Sequence, residues 1–313
     1  MDKNSKIFVA GASGLVGSAL CRELRHQGYQ NILNPSHQQL DLRNSIQVQH
    51  FFENNRPDYG FLAAAKVGGI HANKSYPVEF LTENLQIELN VIRNSWEAKV
   101  KKLLFFGSAC IYPKLAQQPI QESELFTGPL EPTNSAYATA KIAGIELCQS
   151  YARQYQANFI TVIPTNLYGP NDNYHPENSH VIPGLFSRFQ NAKESFLPEV
   201  IIWGSGRQLR EFLHSDDLAR ACIFLMNNFN SAEIINIGSG EEISVGELAK
   251  LISECVGFKG KILLDSTKPD GTPRKMLNSE KIFAMGWKPK IELKEGLALT
   301  YQDFLKNRKT RPS

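Results

Sequence analysis

The chain has 313 residues, 42% apolar and 21% charged, with a formal net charge of +3; that length can bury one large domain or two lobes, and so small a charge gives no argument for a nucleic-acid surface while allowing a local basic pocket for a phosphorylated ligand. Met1 to Lys6 mixes charges and leads straight into an apolar run, unlike a signal peptide, and no apolar stretch approaches the roughly 18 residues of a membrane span. Cys21, Cys110, Cys148, Cys222 and Cys255 are scattered, with neither metal-ligand nor redox spacing, which predicts reduced thiols in a cytoplasm and no metal site.

Lys6 to Ala10 is a short apolar run bounded by glycine and predicts a buried first strand. It runs into Gly11-Ala12-Ser13-Gly14-Leu15-Val16-Gly17, and a helix is predicted from about 18 to 27. Glycines there let the backbone approach a pyrophosphate, and the helix N-terminus supplies amide donors. The spacing is Gly-x-x-Gly-x-x-Gly, not Gly-x-Gly-x-x-Gly. Three glycines can also make only a tight turn, so the flanking strand and helix carry the dinucleotide reading.

Further strands are predicted at 31–33, 59–63, 102–106 and 159–163, and helices at 45–54, 78–98 and 136–155. This alternation predicts an α/β fold, a doubly wound parallel (Rossmann) sheet whose ligands bind outside the strand carboxyl ends. After the second strand comes Asn34-Pro35-Ser36-His37, with no acid to bond a ribose 2′-hydroxyl. The absence removes repulsion against a 2′-phosphate and fits NADPH. Gly107-Ser108-Ala109-Cys110 and Pro164-Thr165-Asn166 each follow a strand and should share one crevice with the glycine turn.

Tyr137 and Lys141 lie four apart at the start of a predicted helix, on one face. A phenol with a reference pKa of about 10 is a poor acid-base group at neutrality, and a nearby ammonium lowers that value. The same spacing arises by chance on many helix surfaces, so the pair gains its weight from the strand-end groups around it.

After about residue 165 the pattern breaks up. Residues 168–179 read as a long loop, and short strands are predicted at 200–203 and 234–237. A helix at 216–226 is expected to return to the first lobe, and a basic tail begins at Lys306. The predicted division is a dinucleotide-binding domain over 1–165, with a return at about 205–230, and a smaller C-terminal α/β lobe, mainly substrate-binding, over 166–313.

The glycine turn, Ser108, Tyr137-x-x-x-Lys141 and Arg210-Glu211-Phe212-Leu213-His214-Ser215-Asp216-Asp217 together resemble the extended short-chain dehydrogenase/reductase family. Within it, Ala63-Ala64-Ala65-Lys66-Val67-Gly68-Gly69-Ile70 and Ser108-Ala109-Cys110-Ile111-Tyr112-Pro113 resemble the GDP-L-fucose synthase family. So do the segments from Pro164 to Pro170, Asn178 to Pro183 and Lys268 to Lys275. The resemblance runs from the glycine turn to about Phe304.

It implies a homodimeric NADPH-dependent enzyme that epimerises C3 and C5 of GDP-4-keto-6-deoxy-D-mannose and then reduces its C4 ketone. Ser108, Tyr137 and Lys141 are implied in reduction, and Cys110 and His180 in epimerisation. Implied cofactor contacts come from Gly11, Ala12, Ser13, Gly14, Leu15, Val16 and Gly17, from His37, and from Asp41 and Leu42 by the adenine. Others come from Phe106, Gly107, Ser108, Ala109, Lys141, Pro164, Thr165, Asn166, Leu167 and His180. Arg188, Trp203, Arg210 and Asp270 are implied to touch the GDP-sugar. Some family members carry arginines in the glycine turn and after the second strand; Ser13 and His37 stand there in this chain, which weakens the expected preference for NADPH. The expected dimer forms on the helices near 78–98 and 136–155. The alternatives are a related enzyme such as a GDP-L-colitose synthase, a UDP-sugar epimerase with tightly held NAD, and a non-catalytic dinucleotide-binding regulator, a class that tends to lose the Tyr/Lys pair.

Overall fold

The computed structural model describes residues 1–175, 179–268 and 270–308; Asn178 and Pro269 of the motifs above, and the end of the basic tail, lie outside them. In chain order come β1 (Ile7–Ala10), α1 (Leu15–His26), β2 (Ile32–Leu33), α2 (Ser45–Asn55), β3 (Tyr59–Leu62), a short α3 (Ile70–Ser75), α4 (Pro77–Glu97), β4 (Lys102–Phe106), α5 (Ser135–Tyr155) and β5 (Phe159–Pro164). The rest is β6 (Asn166–Tyr168), α6 (Val181–Glu194), β7 (Glu199–Trp203), β8 (Leu209–His214), α7 (Ser215–Asn228), β9 (Ile234–Ile237), β10 (Glu242–Ser244), α8 (Val245–Val256), β11 (Lys261–Asp265), β12 (Arg274–Lys275), α9 (Glu280–Ala284) and α10 (Leu293–Asn307). α10 continues through Lys306, where the sequence begins its basic tail. Its apolar face explains this: Leu297 and Phe304 are buried in the small lobe and hold the last turns down.

Local chemistry starts several helices where the sequence marks them. The Asn44 carboxamide accepts from the Ile46 and Gln47 amides, each at 3.1 Å, and so caps α2. Pro77 opens α4 at a position with no intrahelical N–H bond to lose. Ser244 and Glu247 form a reciprocal capping box at α8.

Among the described residues six parallel strands pair in the order β2-β1-β3-β4-β5-β9. Successive side chains of a strand point to opposite faces, and both faces here are apolar, which explains why the strands read as continuous hydrophobic runs. Ile7, Val9, Leu104, Phe106, Ile160 and Val162 pack on one face with Leu20 and Leu24 of α1 and Leu218 and Cys222 of α7. Phe8, Leu103, Phe105 and Ile163 pack on the other with Phe52 of α2, Val91 of α4 and Ile145 of α5. β1 lies between β2 and β3, with Ile7 opposite both Ile32 and Tyr59. The chain therefore leaves β1 in one direction and later resumes on its other side. That reversal opens a crevice at the carboxyl end of β1.

A third cluster lies in the C-terminal lobe, where Phe186, Phe189, Leu248 and Ile252 are buried together. Its sheet centres on β8, paired antiparallel with β10 and parallel with β12 and β6. β7 and β11 form a separate parallel pair. The chain then returns to the main sheet through α7 and β9, the latter pairing with β5 at Thr161 and Ile234.

Candidate active site

The glycine turn bends sharply between β1 and α1. Gly11 has φ +78, and a Cβ there would stand 2.8 Å from the Ala64 backbone; a Cβ on Gly17 would stand 2.1 Å from the Gly11 carbonyl oxygen. Neither position admits a side chain. No side chain caps α1 at Gly14, so its first-turn amides face the crevice for an anion. A cradle that only glycine can line, at a topological switch point and ending on a free helix N-terminus, fits the pyrophosphate of a dinucleotide.

The segment holding His37, Asp41 and Leu42 joins β2 to α2. Arg43 grips Asp41 in a bidentate pair, with Nε and Nη2 at 3.0 and 2.9 Å from the two carboxylate oxygens. It also reaches Glu83 at 3.1 Å, and Glu83 in turn takes Lys66 at 2.6 Å. The Arg43 guanidinium holds the Asp41 carboxyl down to about 2. Leu42 is buried, and its carbonyl accepts from Asn90 at 2.9 Å.

Ser108 lies two residues beyond the end of β4 and caps a single turn, Ala109–Ile111, with its hydroxyl accepting from the Cys110 amide at 3.3 Å. That hydroxyl also hydrogen-bonds Tyr137, which sits in the first turn of α5 with Phe80 packed edge-on at 6.2 Å. Burial, with the Cys110 side chain second, pushes the phenol well up, and the Ser108 bond opposes this. The ammonium expected to lower it points elsewhere. Lys141 is 2% exposed, with Nζ 3.1 Å from Glu88 of α4, which is equally buried. The ammonium lies 4.8 Å from the Phe105 ring centroid and 5.9 Å from that of Tyr137. Removing one partner of such a buried pair strands the other and typically costs about 3–5 kcal/mol.

Cys110 is partly buried, and its sulfur receives the Asn134 amide at 3.2 Å and the Lys275 ammonium at 3.8 Å. His180 precedes α6 in the other lobe. Its surface is exposed, yet surrounding protein keeps its pKa below the ordinary value by desolvation.

Ser108, Cys110 and Tyr137 thus meet in one cluster. Phe106 and Gly107 lead into it from β4, and the Gly107 amide donates to Val162 at 2.9 Å. Pro164 ends β5 at the same edge of the sheet, and Leu167 follows in β6. The Thr165 hydroxyl and Asn166 amide both donate to the Glu211 carbonyl, at 3.4 and 2.9 Å.

On the small lobe, Trp203 ends β7 and is 60% exposed. The Arg188 guanidinium lies 5.8 Å from its ring centroid and the Lys268 ammonium 5.6 Å. Arg210 donates to the Leu209 carbonyl at 2.7 Å. Asp270 accepts from the Ser205 amide and hydroxyl at 2.5 and 2.8 Å, which fixes the turn after Trp203. Two cations beside an exposed indole suit a ligand that presents phosphates and a flat base.

Four contributors do not stand out in the sequence. Glu88 carries a signal, an acid set among apolar positions of a helix, next to Ile87 and Val91. Lys275 lies in one of the motifs above, which gives it no role. Arg43 and Asn134 give no signal beyond their neighbours.

Comparison with known proteins agrees with this geometry. The family model described as NAD dependent epimerase/dehydratase matches residues 7–238. GDP-L-fucose synthase 1 of Arabidopsis thaliana is 56% identical over 98% of this chain and 95% of its own length. The GDP-L-fucose synthase of Escherichia coli K12 is 50% identical over 96% of this chain and 97% of its own. The crystal structure of a GDP-L-fucose synthetase from Naegleria fowleri bound to NADP is 30% identical, with a TM-score of 0.92, covering 100% of this chain and 98% of that one. With the dinucleotide cradle, the parallel sheet and the Ser108–Tyr137 pair inside the matched region, the chain belongs to the NAD dependent epimerase/dehydratase family.

Proposed function

We propose that the protein converts GDP-4-keto-6-deoxy-D-mannose to GDP-L-fucose by 3,5-epimerisation followed by NADPH-dependent reduction at C4. The observation that carries this reading is the cluster itself: a hydroxyl and phenol suited to a carbonyl oxygen, with a thiol beside them. The names of its relatives point the same way.

A C4 carbonyl acidifies the hydrogens on C3 and C5, because the carbanion formed is an enolate. Cys110 and His180 exchange protons at those carbons, a thiol and an imidazole being the side chains that do so near neutrality. Ser108 and Tyr137 donate hydrogen bonds to the C4 oxygen and stabilise its developing charge. In the reductive step Tyr137 gives its proton to that oxygen. Bound NADPH supplies the hydride. Lys141 would hold the nicotinamide ribose from its place beside Glu88, and the glycine turn would hold the pyrophosphate. Arg188, Trp203, Arg210 and Asp270 bind and orient the GDP-sugar.

A homodimer belongs to the same reading. Leu89, Trp96 and Tyr155, on α4 and α5, are exposed large hydrophobic side chains, and helices with such faces pair readily. So does a cytoplasmic setting, supported by five unpaired cysteines. Among the described residues no helix is long and apolar enough to cross a membrane.

One incubation with GDP-4-keto-6-deoxy-D-mannose and NADPH, with the product sugar identified, tests the whole. GDP-L-fucose is expected, with one NADPH consumed per sugar. A folded protein that leaves NADPH unoxidised, or returns an unepimerised sugar, overturns the reading. The cofactor preference is expected to be modest: kcat/KM with NADPH should exceed that with NADH severalfold. No acid follows β2 to repel a 2′-phosphate, yet Ser13 and His37 provide no guanidinium for it. A higher kcat/KM with NADH would reverse this expectation and make Ser36 and His37 ribose ligands.

A further inference from the structure

Glu88 belongs to α4, yet its carboxylate lies against α5, the helix that carries Tyr137 and Lys141. It is 2% exposed, between the core residues Ile87 and Val91. Among the described residues no amide or hydroxyl donates to either carboxylate oxygen; the group that faces it is the Lys141 ammonium, at 3.1 Å. α5 is shaped for this approach. Gly144 follows Lys141 by three positions and shares its helix face. A Cβ there would stand 2.8 Å from Glu88 Oε2 and 2.4 Å from the Phe105 ring. The carboxylate therefore occupies a niche made by the Phe105 ring, the Gly144 backbone and the Lys141 ammonium, which itself lies 4.8 Å from the Phe105 ring centroid. Burial pushes the Glu88 carboxyl up, and Lys141 opposes the shift. Joining α4 to α5 does not require such a pair. Apolar side chains of similar volume do so as well or better, without the cost of desolvating two charges. What the carboxylate adds is direction. An ammonium on a flexible four-carbon stem has many places to go, and Glu88 holds this one 5.9 Å from the Tyr137 ring centroid.

We propose that Glu88 is a positioning residue for the cofactor: it fixes the Lys141 ammonium before the dinucleotide arrives, so that the nicotinamide ribose meets a donor already in order. Binding then need not immobilise that side chain, and affinity is higher for it. In this role Glu88 touches neither cofactor nor sugar and acts through Lys141 alone. Gly144 is part of the same device, since any side chain there would displace the carboxylate.

This inference rests on the role given to Lys141 above, and its test reads NADPH binding with no sugar present. The dissociation constant for NADPH would be measured by nucleotide fluorescence for wild type, Glu88→Gln, Lys141→Met and the double variant. Lys141→Met should weaken binding about ten- to hundredfold, the effect of losing a hydrogen bond from a charged donor. Glu88→Gln should weaken it about two- to tenfold, the effect of having to order one long side chain. The double variant should match Lys141→Met, because with no ammonium to place the carboxylate has no further effect. A double variant weaker than Lys141→Met, by the factor that separates Glu88→Gln from wild type, would show independent effects. Glu88 would then act on the fold, and the proposal would be overturned. Wild-type affinity in Glu88→Gln, or in Lys141→Met, would overturn it as well. Glu88→Gln strands a buried ammonium. Where that variant does not fold, Glu88→Asp replaces it in the cycle: it keeps the charge, draws the ammonium back by about one carbon–carbon bond, and should give the same pattern. Failure to convert GDP-4-keto-6-deoxy-D-mannose would overturn the function proposed above, while the NADPH cycle would still decide the role of Glu88.

Discussion

Tyr137→Phe is expected to slow ketone reduction by about 10²–10⁴, the usual cost of losing a general acid, while NADPH binding and the fold persist. The ring stays against Phe80, so packing on α5 is kept and only the hydroxyl that meets Ser108 is lost. Burial holds the phenol protonated through neutral pH, which suits a group that must give up a proton late in the reaction. The measurement is single-turnover oxidation of NADPH beside an equilibrium binding titration. Reduction at a near-normal rate by a folded variant would remove Tyr137 from the role of proton donor.

Cys110→Ser should abolish epimerisation and leave the GDP-sugar and NADPH sites intact. Serine is nearly isosteric, but its hydroxyl is far too weak an acid to replace a thiol. His180→Gln should impair the same chemistry from the other lobe. Since Ser108, Tyr137 and Lys141 are untouched, slow reduction of the unepimerised ketone is expected, with the wrong stereochemistry in the product. Each variant would be run in deuterated water and label mapped at C3 and C5. Label like wild type at both carbons in one variant would exclude the residue it replaces, and the proton carrier would have to be sought elsewhere in the crevice.

Much of the main sheet is legible in the sequence. Its strands are apolar runs bounded by glycine or polar turns, and α2, α4 and α5 fall within a residue of their predicted ends. The glycine turn is legible because steric demands at Gly11 and Gly17 exclude every other residue. The small lobe is not. β6, β10 and β12 are two or three residues long, too short to carry a period. Ile234–Ile237 is visible as a strand, but no local pattern says that its partner is β5 of the other lobe. The site divides in the same way. Ser108 and Tyr137 sit at a strand end and on a helix face, positions that sequence periodicity can place. Other contacts in the site arrive from afar: Glu88 meets Lys141 from α4, and Lys275 meets Cys110 from β12. Their side chains meet through tertiary packing, which leaves no mark on local spacing.

The return of the chain through α7 and β9 also sets the order in which the protein can assemble as it is synthesised. When residue 165 has emerged, β5 already exists as a six-residue strand, but the strand that will pair with its outer edge ends only at Ile237. The face that Leu218 and Cys222 of α7 will cover is covered over the same interval by α1 alone. An open edge beside partly covered apolar surface invites pairing with other chains. The nascent protein carries that hazard while the first strands of the small lobe are made, and the first lobe cannot close before them. The main sheet is therefore completed only after the first strands of the small lobe have been made, and before most of that lobe has been.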